Sequence, residues 1–201
     1  MGESLEALES SKFRIRPKHI AIVVVVAATV GILGAFGIIS FFAVPGVSAF
    51  YIAIGFYTAF AVWFGGWGVV GVTIGTSLGA IFAGTPIPIA LAANIPGSII
   101  QAGLPAAAVR WLGMDPRLKT RRDWILFVVV CNLITVIIPG CLFMATLAAF
   151  GVMPWRVAFT AGILSYVVGD VIVIFLITTP LLKGLSNYVM RTQFYMRGWW
   201  D

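Results

Sequence analysis

Charge is scarce in this chain. Lys, Arg, Asp and Glu make up 10% of its 201 residues, where a soluble domain carries about a quarter. Histidine occurs once, as His19, and cysteine twice. These shortages exclude a Cys/His metal cluster, and there is no Ser-His-Asp set and no pair of carboxylates for acid–base work. No G-x-x-x-x-G-K-[ST] occurs, so the chain does not hydrolyse ATP through a P-loop. No enzyme, cofactor or metal site is expected. The termini, residues 1–18 and 183–201, are too short to bury a core of their own. Cys131 and Cys141 stand ten residues apart in one apolar segment. On a helix that is about 15 Å, too far for a disulfide, so both read as packing residues.

Apolar residues are abundant: 61% of the chain is hydrophobic and its mean hydropathy is +1.05. That composition predicts an all-α, polytopic membrane protein. The polar, acidic stretch Met1 to Ser11 and the length of the first apolar run predict a retained first membrane helix rather than a secretory signal. A helix needs about 20 apolar residues to cross the hydrocarbon. Six candidate spans result: His19 to Val44, Ser48 to Phe64, Trp67 to Gly84, Ile87 to Leu112, Trp124 to Phe150, and Trp155 to Leu182. The cuts fall at Val44-Pro45-Gly46, Gly65-Gly66, Thr85-Pro86, the charged loop Gly113 to Asp123, and Gly151 to Pro154, where Gly and Pro supply turn chemistry. The cut at Gly65-Gly66 decides between six spans and five, because no charge separates the short runs on either side of it.

Six spans put both termini on one side. Lys12, Arg14, Arg16, Lys18, Arg110, Arg117, Lys119, Arg121, Arg122, Lys183, Arg191 and Arg197 then share a face, and Arg156 alone lies on the other. By the positive-inside rule the shared face is cytoplasmic. The net charge of +6 is thereby explained by topology and anionic lipid headgroups rather than nucleic acid. Trp63, Trp67, Trp111, Trp124 and Trp155 fall near expected helix ends, as aromatic belts do. The tail Tyr188 to Trp200 mixes aromatics with Arg and is expected to lie along the inner interface. The domain plan is therefore a cytoplasmic segment 1–18, a membrane domain 19–182 and a tail 183–201, in a multi-pass protein of the cell membrane.

Gly71, Gly75, Gly79 and Ala83 recur every four residues in the third span, and Ala27, Gly31 and Ala35 do so in the first. Such stripes let helix backbones approach closely in lipid. They serve either packing within the protein or contact with another membrane protein, and the sequence assigns neither. "GWGVVG", Gly66 to Gly71, has the G-x-G-x-x-G spacing but neither the strand nor the βαβ unit that a dinucleotide site needs.

The tripeptide Ile-Pro-Gly occurs twice inside apolar spans, at Ile95-Pro96-Gly97 and Ile138-Pro139-Gly140. Proline removes a donor and frees a carbonyl, so each predicts a kink or break. At about 1.5 Å per residue both fall in the outer half of the membrane. Polar side chains gather near them. Asn94, Ser98 and Gln101 share one face of the fourth helix, Asn132 lies in the fifth, and Tyr166 and Asp170 are four apart on the sixth. These groups are the candidate ligand-binding set. Asp170 is the costliest of them, since a charged Asp at a helix centre costs about 2.5–3.5 kcal/mol on insertion scales. It is expected either to be protonated and hydrogen-bonded to Asn94, Asn132 or Tyr166, or to be ionised and facing a wet pocket.

Six helices, cytoplasmic ends, the four-spaced small residues of the first helix and the glycine-rich run Gly65 to Gly84 resemble the substrate-binding membrane subunits (S-components) of energy-coupling factor transporters. The resemblance covers Pro17 to Leu182. It implies a vitamin or metal bound at the outer side by the polar cluster, and contact of Ala27, Gly31 and Ala35 with a transmembrane coupling subunit that works with two ATPases. That family often carries a longer first external loop as a lid, whereas Val44 to Ser48 forms almost no loop. "AANIPGSIIQAGLPAAAVRWL", "RRDWILFVVV" and "YVVGDVIVIFLITTPLL" also resemble the integral membrane sensor domain of histidine kinases and diguanylate cyclases, which would place Asp170 in a sensing core. Such domains usually have eight spans and continue into a signalling domain. A structural subunit of a larger membrane complex is the third reading.

Overall fold

The structure, a computed structural model, describes residues 15–39 and 50–201. The expected turn at Val44-Pro45-Gly46, the expected span start at Ser48, and Lys12 and Arg14 lie outside the described residues. Five helices are long and apolar enough to cross a membrane: α1 (Pro17–Phe36), α2 (Ala53–Phe82), α3 (Ile87–Arg110), α4 (Arg121–Ala149) and α5 (Trp155–Val189). The described strands are two residues each, β1 (Ile38–Ile39) paired antiparallel with β2 (Phe50–Tyr51).

The first two spans differ from expectation. Helix α1 stops at Phe36 rather than Val44; the Gly37 N–H makes its last helical hydrogen bond, donating to Leu33 O at 2.7 Å. Residues 37–52 separate the two helices, where the expected spans leave three, 45–47. Helix α5 runs on to Val189 rather than ending at Leu182.

The expected second and third spans are one element, α2, with a reversal inside it. Gly65 has φ 58° and ψ −136°, a left-handed conformation that glycine enters readily. In a straight helix, residues eight apart are separated by about 12 Å. Here a Cβ on Gly68 would lie 2.5 Å from Phe60 O. The chain doubles back, and α2 is a hairpin of two arms, 53–64 and 66–82. It is the most buried of the five, with 72% of its apolar window inside the protein.

The small-residue stripes explain where α1 goes. A Cβ on Gly71 would meet Val26, one on Gly75 would meet Val30 and Ala27 O, and one on Gly79 would lie 3.0 Å from Gly31 O. The two stripes face each other, with α1 parallel to the 66–82 arm. Gly31, Gly71, Gly75 and Gly79 are buried there, Ala27 lies at the same seam, Ala35 is half-buried and Ala83 is exposed. Of the two uses the sequence leaves open, Gly31, Gly71, Gly75 and Gly79 serve packing within the protein. The opposite side of α1, with Ile20, Val24 and Ile32, is exposed.

Neither Ile-Pro-Gly breaks its helix; α3 runs through Pro96 and Pro105, and α4 through Pro139. The two tripeptides meet each other, a Cβ on Gly97 falling 3.9 Å from Pro139. Helix α4 widens into π geometry over Phe127–Ile134, and Thr135 Oγ1 donates to Val130 O at 2.8 Å beside it. At its start, Thr120 and Asp123 form a reciprocal capping box.

The tail folds onto the end of the bundle where Gly65 turns. Met196 is fully buried and its N–H donates to Trp63 O at 3.0 Å. Gly66 N donates to Trp199 O at 2.9 Å, and Trp200 packs edge-on against Trp67 with centroids 5.3 Å apart. Trp63 and Trp67 are accordingly buried at 3% and 8% exposure, while Trp111 and Trp155 are exposed at 73% and 55%. Trp111 and Trp155 are exposed as belt residues would be, and Trp124 is half-buried. His19 stacks on Trp67 at 4.7 Å at this same end.

Candidate functional site

Facing the other end, between the 66–82 arm, α3, α4 and α5, lies a cavity of about 360 Å³. Its walls reach the α2–α3 connection at Gly84–Pro86 and the α4–α5 connection at Val152. The volume is at the lower end of the roughly 300–1,000 Å³ of small-molecule sites.

Helix α3 supplies one polar wall. Asn94, Ser98 and Gln101 line the cavity because spacings of four and seven return to one helix face. Helix α5 supplies Tyr166 and Asp170 from successive turns. Gly140 sets the position of Tyr166: a Cβ there would lie 2.8 Å from the ring's Cδ1, so the missing side chain lets the ring lie against α4. Phe143 then stacks on Tyr166 with centroids 5.8 Å apart.

The polar contacts converge on α5. Gln101 Nε2 donates to the Tyr166 hydroxyl at 3.3 Å, and Asp170 stands one helical turn further along α5. Asp170 is 2% exposed, and its Oδ2 has no hydrogen-bond partner among the described residues. Asn94 and Asn132, two of its three expected partners, bond elsewhere. Asn94 Nδ2 donates to Ala90 O of its own helix at 2.8 Å. Asn132 Nδ2 donates to Val171 O at 3.3 Å, tying α4 to α5.

Five of the six expected site residues thus share one cavity, and Asn132 lies outside its lining. The sequence reading missed Tyr51, Tyr57 and Thr76, which also line it. The Tyr57 hydroxyl donates to that of Tyr51 at 2.7 Å. A signal existed for both tyrosines: a phenol in an apolar run needs a partner for its hydroxyl when buried. Among the described residues, no three His, Cys, Asp or Glu side chains gather as a metal site. No Lys, Arg or His lines the cavity among them either. No protein-family model, curated protein or solved structure matches the chain.

Proposed function

We propose that this chain is the membrane-embedded substrate-binding subunit of a small-molecule uptake transporter, energised by separate ATPase subunits. The observation that carries the reading is the cavity, set among apolar helices and furnished with convergent polar groups from α3 and α5. A lone structural subunit has no use for such a space. The sequence carries no P-loop, so on this reading the energy comes from separate chains.

The reversal at Gly65 supports six crossings, with each arm of α2 passing through the bundle. The 53–64 arm is short for a bilayer of about 30 Å, and its burial inside the protein removes the need to match that thickness. Both described ends then lie on one side, the side of the basic residues, which we assign to the cytoplasm of a cell membrane. The cavity opens toward the outer face, as uptake requires.

Extraction from the native membrane in mild detergent, followed by mass spectrometry of what is recovered, tests this reading. Two ATPases and a second membrane subunit are the expected companions. Recovery with a kinase or cyclase would establish the sensor reading instead, and a large complex without ATPases the structural one.

A further inference from the structure

The chemistry of the cavity walls narrows what it can hold. Asp170 is the one charged side chain that lines it among the described residues. The Tyr166 hydroxyl accepts from Gln101, one helical turn from Asp170, whose Oδ2 has no hydrogen-bond partner among the described residues. A buried carboxylate oxygen without a partner is costly, and the cost falls when a cation docks against it. Among the described residues, no basic side chain lines the cavity to do so.

Three other ligand classes fit less well. An anion would face Asp170 with no Lys or Arg to compensate. A neutral molecule would leave the carboxylate without a counter-charge. A bare metal ion prefers about six oxygen ligands when hard, or Cys and His when soft. Here Asp170 is the one carboxylate of the lining among the described residues, its other oxygen donors are neutral amides and hydroxyls, and Ile89, Pro139, Phe143 and Leu147 complete the wall. Aromatic faces, by contrast, are present: Tyr57, Tyr166 and Phe143 all line the space, and such faces attract organic cations.

We infer that the cavity takes an organic monocation, an amine or quaternary ammonium, with Asp170 as its counter-charge and the aromatic rings as its walls. The inference rests on the reading above that the cavity binds a small molecule.

The test is calorimetric titration of the full chain in lipid nanodiscs with matched probes. Phenethylamine, tryptamine and choline are the cations, 2-phenylethanol and tryptophol the neutral twins, and phenylacetate and indole-3-acetate the anions. At least one aromatic amine is expected to bind roughly tenfold or more tightly than its neutral twin. Asp170→Asn is expected to abolish that preference. The wild-type ratio between twins needs no variant, so it decides the matter even if Asp170→Asn does not fold. Equal or tighter binding of a neutral or anionic twin would overturn the inference while leaving a small-molecule site standing. Binding of no probe at millimolar concentration would also overturn it. Failure of the transporter reading shows separately, as absence of ATPases from the native extract.

Discussion

Gly65 holds the fold's sharpest requirement on a single residue. Its φ of 58° and ψ of −136° are open to glycine and strained for any L side chain, at about 1–3 kcal/mol. Space is also short there, since a Cβ would lie 2.9 Å from Nε of Arg110. Gly65→Ala is therefore expected to lower stability by roughly 2–4 kcal/mol, read as an earlier midpoint in equilibrium unfolding by detergent. A change indistinguishable from zero would mean that the hairpin is not held by this residue. Asp115, in the loop between α3 and α4, makes a prediction of a different kind. Arg117 Nε and Nη2 donate to its carboxylate at 2.8–3.1 Å, and this hydrogen bonding holds the carboxyl below its ordinary range. A carboxyl depressed in the folded state adds stability above its unfolded value and loses it as pH falls through the folded one. The contribution is therefore present at neutral pH and fades below about pH 4. The pair is partly exposed, so solvent screens it and the effect is small. Arg117→Ala is expected to flatten the acid limb of unfolding midpoint against pH, with little change near neutrality. An unchanged acid limb would refute the pairing.

At the scale of elements, Arg110 is the latch between helix ends and tail. Its guanidinium donates to Gly198 O and Met196 O at 2.7 Å, and to Ala61 O, Val62 O and Ala106 O at 3.2–3.4 Å. The first helix arm of α2 ends at the turn, so the carbonyls of its last turn have no intrahelical donor. Arg110 answers two of them and, with the same group, pins the tail. Hydrogen bonds to charged groups are worth about 1.5–3 kcal/mol each, and buried carbonyls left bare cost more. Arg110→Ala is expected to destabilise the protein by roughly 2–4 kcal/mol. It is also expected to open the backbone after Arg197 to trypsin, because Met196 N is otherwise held by Trp63 O. Unchanged cleavage kinetics would show that the tail is held by its tryptophans alone. The same element-level logic explains the charged loop. Asp123 caps α4 through Thr120 and accepts from Asp115 N at 2.9 Å, so the loop is bound at both ends.

Across the whole molecule, one end is closed and the other hollow. The Gly65 turn, Arg110, His19 and the tail tryptophans fill the first. At the second, small and aromatic residues keep helices close at their edges while leaving a space between them. The lining of that space was legible in part. The spacing of Asn94, Ser98 and Gln101 on one helix face, and of Tyr166 and Asp170 on another, follows from helical periodicity alone. Whether those faces meet is a question of packing. They do so because Gly140 admits the Tyr166 ring and because Gly97 lies against Pro139. Asn132 has the same polarity and a similar depth, yet it faces Val171 and stays outside the cavity. Single-sequence periodicity could not make that distinction, because π geometry over Phe127–Ile134 rotates the face of α4.

Composition and spacing by themselves determined that the chain is helical and apolar enough for a membrane, where the charged loop lies, and which residues carry polarity into the apolar runs. These properties are local, since each depends on the transfer free energy and backbone preference of neighbouring residues. Tertiary structure decided that two spans form one hairpin, that the two small-residue stripes face each other, that the tail closes an end, and that five of six polar candidates share a cavity. Each of those outcomes depends on which surfaces touch. Contact between surfaces distant in sequence is set by the fit of whole helices, and no window of residues contains it.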